Sequence, residues 1–340
     1  MTLPTDRDHG ADTSVRVTVA LDVLGGDDGP EVVADAALQV LDQQSGVDLI
    51  LVGPTDLTHT LAADRGIADR VTYSSAGTAL AMDEDPVRAI RTRPDVSVQV
   101  AAELVRDQRA QACVSVGHTG GVLAAGTLTI GRLEGVTRAA VAVVVPAVHH
   151  SVVLLDVGGT VDATPELLAQ FANSGRAFAI ALGLSDDPAV GLLTIGSEPG
   201  KGDALRRLAH DEFLDLNLRY VGPVEGDDVA LGGIADVIVT DGFTGNVVLK
   251  ALEGAALNTA EAISRRYADP EPALEVGRSF AVGTHAGAIL LGINGVSVVG
   301  HGASSAQEIA AYVALAVRGV RSDLVARIAD QLAVSDAGKR

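Results

Sequence analysis

Five short polar turns that contain glycine follow predicted strands, and most of them open a predicted helix. The turn with the most useful chemistry is 241–246 (Asp-Gly-Phe-Thr-Gly-Asn), which precedes a helical pattern beginning at Val247. A helix start presents N–H groups without intrahelical partners and the positive end of the helix dipole. Glycine lets a ligand approach the backbone closely. These residue types in this order predict a site for an anion such as phosphate.

The other four turns follow the same plan. They are Asp-Val-Leu-Gly-Gly-Asp at 22–27, Ser-Val-Gly-His-Thr-Gly-Gly at 115–121, Asp-Val-Gly-Gly-Thr-Val-Asp at 156–162 and Gly-Ser-Glu-Pro-Gly-Lys-Gly at 196–202. Any one of them is explained by a tight connection between a strand and a helix. All five together predict a phosphate or phosphoester site. None has the spacing of a Walker A loop or of a dinucleotide fingerprint.

The candidate binding groups are polar side chains and glycines of these turns and of 301–304 (His-Gly-Ala-Ser), which follows the last predicted strand. They are Gly25, Gly26, Ser115, Gly117, His118, Thr119, Gly120, Asp241, Gly242, Thr244, Gly245, His301, Gly302 and Ser304. Lys201 stands out because the chain has only three lysines against 22 arginines. The aspartates at the strand ends are expected to cap helices or fix loops rather than bind metal. We therefore expect no metal and no cofactor.

Predicted strands and helices alternate along most of the chain. Strands are predicted at 15–21, 49–52, 71–73, 112–116, 140–145, 152–157, 190–195, 218–221, 237–240 and 296–299, and helices at 31–43, 98–107, 122–131, 165–182, 204–214, 247–266 and 306–331. Thr164 before a proline and a capping box at 305–308 mark two helix starts. This alternation predicts an α/β fold with a mostly parallel sheet covered on both faces. The turns at the carboxyl ends of such strands are expected to converge on one crevice.

We expect residues 15–332 to form a single α/β catalytic domain, which could divide into two lobes that meet near 147 and 295. Residues 1–14 are polar and acidic, unlike a signal peptide, and are predicted to be a disordered extension. Residues 333–340 are predicted to be a frayed tail.

Composition and charge exclude several classes of function. The net charge of −19 disfavours nucleic acid and anionic lipid as general partners, because both require a basic surface. Apolar runs such as 139–145 end well before the ~18 residues of a transmembrane helix. The single cysteine excludes an internal disulfide. These features predict a cytoplasmic protein.

The order of motifs along the chain resembles that of the PlsX-type phosphate acyltransferases. The motifs are 22–27, 83–89 (Asp-Glu-Asp-Pro-Val-Arg-Ala), 115–121, 156–162 and 241–246 with 249–254 (Leu-Lys-Ala-Leu-Glu-Gly), and the resemblance extends over about residues 15–320. It implies an α/β/α sandwich around a mostly parallel sheet, as in isopropylmalate dehydrogenases and phosphotransacetylases. It also implies a homodimeric enzyme that transfers a fatty acyl group from acyl carrier protein to inorganic phosphate, giving acyl phosphate for phospholipid synthesis.

The resemblance also implies roles for single residues. Phosphate supplies its own attacking oxygen, so the protein must hold that anion and stabilise the tetrahedral oxyanion. Lys201 would orient phosphate or polarise the thioester, and Asn246 would donate to phosphate or to the oxyanion. Two arginine clusters are candidates for binding the acidic carrier protein. They are Arg88, Arg91 and Arg93, and Arg265, Arg266 and Arg278.

The chain departs from the family pattern at three places. His118 and Gly121 stand where the family has asparagine and alanine, and 159–160 reads Gly-Thr in place of Ala-Asn. The segment 255–281 is shorter than the family's membrane-associated insertion, so membrane contact is expected to be peripheral at most. Two alternatives stay open: transfer from acyl coenzyme A, as in phosphotransacetylases, and an inactive homologue that binds carrier protein. A dehydrogenase is disfavoured because the chain lacks a nicotinamide fingerprint.

Overall fold

The computed structural model describes residues 15–198, 200–266, 271 and 287–338, with side chains only of those up to Val334. The described residues form two compact units. The first, called the N-terminal unit, contains 15–134 and 287–325. The second, called the central unit, contains the described residues from 135 to 271 and from 326 to 338.

The N-terminal unit is built on a sheet in the order β3-β2-β1-β4-β11-β10. Its strands are β1 (Val17–Asp22), β2 (Val47–Gly53), β3 (Val71–Ser75), β4 (Ala112–Ser115), β10 (Ala288–Leu291) and β11 (Val296–Val299). Its helices are α1 (Pro30–Gln43), α2 (Thr55–Asp64), α3 (Pro86–Thr92), α4 (Ser97–Arg106), α5 (Thr119–Ala125), which continues as a π-helical turn (Gly126–Ile130), and α10 (Ala306–Arg321), with a 3₁₀ turn at Ala68–Arg70. All strand pairs are parallel except β10–β11.

The central unit is built on a sheet in the order β5-β6-β9-β7-β8. Its strands are β5 (Ala140–Val145), β6 (Val152–Leu155), β7 (Ala189–Leu193), β8 (Arg219–Val224) and β9 (Val237–Val239). Its helices are α6 (Pro165–Ala181), α7 (Ala204–Leu214), α8 (Gly226–Leu231), α9 (Gly242–Ser264) and, from residue 326 onward, α11 (Leu324–Gly338). The pair β5–β6 is an antiparallel hairpin, and the other pairs are parallel.

Most of the strands next to the candidate turns are buried along their whole length. Every residue of β4, β6, β9 and β11 is buried. A strand that is buried at both odd and even positions must be covered on both faces, which is the pattern of a parallel sheet between helices. The predicted α/β fold with a mostly parallel sheet is confirmed.

Two of the predicted helix starts are confirmed by their capping bonds. Thr164 Oγ1 accepts from the backbone N–H of Leu167 at 3.3 Å. Ser305 and Glu308 form the reciprocal capping box, in which each side chain accepts from the other residue's backbone N–H. Both caps satisfy donors that the first helical turn leaves unpaired.

The structure contains several elements that the sequence patterns did not predict. Strand β10 forms a hairpin with β11 across Gly292–Gly295, and helices α2 and α8 are short and polar. The helix predicted at 306–331 is two helices, because Asp323 adopts a left-handed conformation (φ 55°) that ends the first. The second runs to Gly338, into the segment expected to be frayed. The predicted extension 1–14 and most of 267–286 lie outside the described residues.

None of the helices among the described residues is both long enough and apolar enough to cross a bilayer.

Candidate active site

The N-terminal unit brings three of the candidate segments together. They follow β1, β4 and β11, which are parallel neighbours, so their carboxyl ends lie at one edge of the sheet. The backbone N–H of Asp27 donates to the carbonyl of Gly302 at 2.8 Å. A Cβ at Gly25 would lie 2.7 Å from the backbone nitrogen of Gly117. Glycine at 25 is therefore required for the turns 22–27 and 115–121 to touch.

Ser115 and Asp22 form a buried pair beneath these turns. Ser115 Oγ donates to Asp22 Oδ2 at 2.8 Å and accepts from the N–H of Gly117 at 3.2 Å. Burial raises the pKa of Asp22, and hydrogen bonds from Ser115, Ser97 and the Leu24 N–H oppose that rise. Ser115 is 3% exposed, and its hydroxyl already makes these two hydrogen bonds. Ser115 therefore supports the turn from below.

His118 caps helix α5 with a neutral group. Its Nδ1 accepts from the N–H of Gly121 at 3.3 Å, which leaves the ring proton on Nε2. Among the described residues, the N–H groups of His118, Thr119 and Gly120 have no protein acceptor. Thr119 is exposed. The turn 115–121, called the His118 turn below, thus presents free N–H donors at a helix start without a negative charge on the cap.

The segment 301–304 divides between the surface and the core. His301 is exposed. The Gly302 carbonyl accepts from Asp27, as described above. Ser304 is buried, and its hydroxyl shares a 2.9 Å hydrogen bond with the hydroxyl of Tyr312. Gly302 therefore joins the turn 22–27, whereas Ser304 faces the core.

The central unit brings together the other candidate turns. The N–H of Gly242 donates to the Thr160 carbonyl at 2.7 Å, and Asn246 Nδ2 donates to the Val157 carbonyl at 3.2 Å. A Cβ at Gly245 would lie 1.9 Å from the carbonyl oxygen of Asp156. Only glycine allows that approach between the turns 156–162 and 241–246.

Three N–H donors of the turn 156–162 are already occupied by its own carboxylate. Asp156 is fully buried and accepts from the N–H groups of Val141 (3.0 Å), Gly158 (3.2 Å), Gly159 (2.8 Å) and Thr160 (2.6 Å). Burial raises its pKa, and these four donors oppose the rise. The carboxylate fills the place that a bound anion would take.

In the turn 241–246 a carboxylate likewise occupies donors of its own turn, those of Thr244. Asp241 caps α9: its carboxylate accepts from the Thr244 N–H at 2.9 Å and the Thr244 hydroxyl at 2.8 Å. The carboxylate also pairs with Arg206. Burial alone would raise the pKa of Asp241, but the Thr244 hydrogen bonds and the Arg206 charge outweigh it, so the pKa is lowered. Asp241 is thus a charged structural group.

Lys201 and Asn246, the candidate catalytic pair, are both exposed. The stem of Lys201 lies over Gly196, and its backbone N–H donates to the Glu198 carbonyl at 3.2 Å. Among the residues that the structure describes, the Lys201 ammonium has no ion-pair partner. It is free to meet an anion.

Sequence reasoning missed Arg206 as a member of this region. Arg206 lies in the first turn of α7, three residues after the capping Asp203. A side chain at that position points back toward the helix start. The spacing Asp-x-x-Arg at 203–206, directly after the turn 196–202, was the sequence signal that could have indicated Arg206.

Comparison with known proteins identifies the family. Residues 17–327 match the family model described as fatty acid synthesis protein. The chain belongs to this family. The resemblance to PlsX-type phosphate acyltransferases is confirmed, because the chain is 39% identical to the phosphate acyltransferase of Nitrosococcus oceani over 93% of its own length and 96% of that protein. The phosphate acyltransferase of Thermobifida fusca is 41% identical over 94% of this chain and 91% of that one.

Solved structures with a similar fold are phosphotransacetylases. The enzyme from Streptococcus pyogenes has a TM-score of 0.63 at 18% identity and covers 91% of this chain and 95% of its own. The EutD phosphotransacetylase of Staphylococcus aureus has a TM-score of 0.62 at 16% identity, with 90% and 96% covered. At this identity the likeness establishes the fold.

Proposed function

We propose that the protein transfers a fatty acyl group from the thioester of acyl carrier protein to inorganic phosphate, which yields an acyl phosphate for phospholipid synthesis. Membership of the family and relatives named phosphate acyltransferase support this proposal. The structural observation that carries it is the His118 turn, with its free N–H donors and neutral cap. We propose this turn as the phosphate site.

The other binding residues of the N-terminal unit are proposed to support or extend that site. Gly25, Gly26 and Gly302 shape its neighbouring backbone, Ser115 hydrogen-bonds the Gly117 N–H within it, and we propose that His118 Nε2 and Thr119 donate to phosphate and that His301 borders the site. We propose the turn with Asp241, Gly242, Thr244 and Gly245 as the element that places Asn246.

The chemistry needs no nucleophile from the protein. An oxygen of phosphate attacks the thioester carbon, the new C–O bond forms, and the carbonyl oxygen becomes an oxyanion. The oxyanion then collapses, the C–S bond breaks, and the carrier thiolate leaves and takes up a proton. We propose that Lys201 orients the anion or polarises the thioester, while Asn246 donates to the developing charge. No cofactor enters the balance.

We propose acyl carrier protein as the partner and α3 as its docking element. Arg88 and Arg91 are exposed on α3 and form no ion pair among the described residues, whereas Arg93 pairs with Glu84. Pro86, the first residue of α3, packs against Gly120 of the His118 turn. Of the second arginine cluster, Arg265 is bound by Glu261 and Arg278 lies outside the described residues. The α3 pair is therefore the better fit for an acidic carrier.

We also propose a cytoplasmic homodimer, with membrane contact that is peripheral at most. Helix α9 supports the dimer, since of its 23 residues only Gly242, Gly245, Leu249 and Ala260 are buried. Phe243, Val247, Leu257 and Ile263 are exposed on it. An exposed apolar helix of this length is typical of a protein–protein contact. Sedimentation at micromolar concentration measures the oligomeric state.

The function is tested by supplying the purified chain with phosphate and either a long-chain acyl carrier protein or the matching acyl coenzyme A. Acyl phosphate is detected by ³¹P NMR or hydroxylamine trapping, with a control lacking phosphate. We expect phosphate-dependent product from the carrier-protein thioester. Product from coenzyme A alone would assign the phosphotransacetylase-like alternative. Carrier-protein binding without product would assign the inactive homologue.

A further inference from the structure

Arg206 is held by four groups at the starts of two helices. Its Nη1 donates to Asp203 Oδ2 at 3.0 Å, at the start of its own helix α7. Its Nη2 pairs with the Asp241 carboxylate and donates to the hydroxyls of Thr240 (3.1 Å) and Thr244 (3.0 Å), at the start of α9. The Arg206 side chain is 11% exposed and that of Asp241 is 8% exposed. A nearly buried guanidinium that makes several hydrogen bonds fixes the direction as well as the distance of its partners.

These two helix starts carry the candidate catalytic pair. Lys201 lies two residues before Asp203, and Asn246 lies two residues after Thr244. No hydrogen bond between the turns 196–202 and 241–246 is found among the described residues, and the bonds of Arg206 join Asp203, the residue after the first turn, to the second turn. The backbone at Gly202 also packs on the Arg206 stem, since a Cβ there would lie 2.8 Å from Arg206 Cβ. Arg206 thus contacts both turns, by packing on Gly202 and by hydrogen bonds to Asp241 and Thr244.

We infer that Arg206 is a positioning residue. It holds the turn 196–202, with Lys201, and the turn 241–246, with Asn246, in the arrangement that acyl transfer requires. The inference rests on the proposed function. Arg206 touches neither phosphate nor thioester in this role and acts through Lys201 and Asn246. Misplacement of a reacting group by ~1 Å costs about 100-fold in rate, so loss of the clamp should appear in kcat.

The competing explanation is that Arg206 only neutralises Asp241. Removing the guanidinium leaves a buried carboxylate without its partner, which destabilises a fold by itself. Two variants separate the explanations. Arg206→Gln breaks the clamp and leaves the charge, whereas Arg206→Gln with Asp241→Asn removes both charges and keeps a good helix cap, because asparagine caps as well as aspartate.

A matched control comes from the same unit. Arg176 has a 21% exposed side chain, donates from Nη1 to Gln331 Oε1 at 2.7 Å and forms an ion pair with Asp187 at 3.7 Å. Asp187 precedes β7, whereas Thr240 follows β9, and these strands are parallel neighbours. Arg176 therefore lies at the opposite edge of the sheet from Arg206. Arg176→Gln removes a similarly buried arginine without touching the candidate turns.

The experiment measures kcat, KM and thermal midpoint for the wild type and the three variants with phosphate and acyl carrier protein thioester. We expect Arg206→Gln to lose roughly 10- to 100-fold in kcat. The double variant should recover the thermal midpoint but not kcat, and Arg176→Gln should lower the midpoint while keeping kcat. Recovery of kcat together with the midpoint in the double variant would overturn the inference, as would an unchanged kcat in Arg206→Gln.

A double-mutant cycle tests whether Arg206 acts through Lys201. If Arg206 positions Lys201, Arg206→Gln should cost little in a Lys201→Ala background, because effects of residues that act as a unit are not additive. If the losses in kcat of the two single variants multiply fully in the double variant, Arg206 does not act through Lys201. An inactive wild type would refute the proposed function instead, so the two failures are distinguishable.

Discussion

The two units use the same glycine-bearing turns at helix starts, but they cap them with different charges. In the central unit, Asp156 and Asp241 place carboxylates on the N–H groups of their own turns. In the N-terminal unit, His118 places a neutral imidazole on α5 and leaves three N–H groups free among the described residues. A helix start is therefore an anion site only where its cap does not already supply the anion.

The largest expected effect concerns Lys201, the candidate cation of the central unit. Lys201→Ala should lower kcat about 100-fold or more, because it removes a charge that faces developing negative charge. Lys201→Arg keeps the charge and should retain part of the rate. Initial rates with saturating phosphate and carrier-protein thioester measure both. Full turnover by Lys201→Ala would remove this residue from the chemistry.

The second prediction converts one kind of turn into the other. His118→Asp puts a carboxylate on the cap of α5, as Asp241 does on α9. Repulsion of about 1.4 kcal/mol should raise the KM for phosphate roughly 10-fold. His118→Asn is the matched control, since it caps without charge and should leave that KM nearly unchanged. An unchanged KM in His118→Asp would show that phosphate binds elsewhere.

A smaller effect on stability is expected at Thr160. Its hydroxyl oxygen is buried and has no hydrogen-bond partner among the described groups, although its N–H is held by Asp156. Thr160→Val keeps the shape and removes the unpaired hydroxyl, so the free energy of unfolding should rise by about 1 kcal/mol. Urea unfolding of the two proteins measures the difference. A clear loss of stability would mean that the hydroxyl is satisfied in solution.

The smallest predicted effect is a difference in pH dependence between the units. The folded pKa of Asp241 is lowered, so its stabilising contribution is present above the ordinary value of 3.8 and is lost as pH falls through the folded pKa. The pKa of Asp22 is raised, so its contribution is present below 3.8 and is lost as pH rises through the folded pKa.

Thermal midpoints of the wild type, Asp241→Asn and Asp22→Asn over about pH 3 to 7 measure these contributions. The advantage of the wild type over Asp241→Asn should shrink on acidification. Its advantage over Asp22→Asn should shrink as pH rises. Equal slopes for the two variants would contradict the assigned environments.

The sequence predicted the framework better than the details that decide function. Long apolar runs such as 140–145 predict buried strands because burial on both faces leaves no polar position. Strand β10 escaped prediction because four apolar residues carry no periodicity, and its partner across a short turn identifies it only in space. Short polar helices such as α8 carry a weak apolar stripe and lay outside the predicted helices.

The sequence predicted the five turns, but it did not predict which turns have N–H donors occupied by a carboxylate of the chain. Whether a carboxylate accepts from the N–H groups of its own turn depends on backbone geometry. Asp22 differs from Asp156 in this respect, because it bonds Ser115 and only the Leu24 N–H of its turn. The partnership of Arg206 with Asp241 joins residues 35 apart in the chain. Such contacts follow from the parallel order of strands, which local patterns do not specify.

The most direct test of the central claim is an NMR titration of the chain with inorganic phosphate at constant ionic strength, followed at backbone amides. We predict saturable shifts at His118, Thr119 and Gly120. The amides of Gly158, Gly159 and Thr244 should stay in place, because carboxylates of the protein already hold them. Saturable shifts at these three amides with none in the His118 turn would contradict the account.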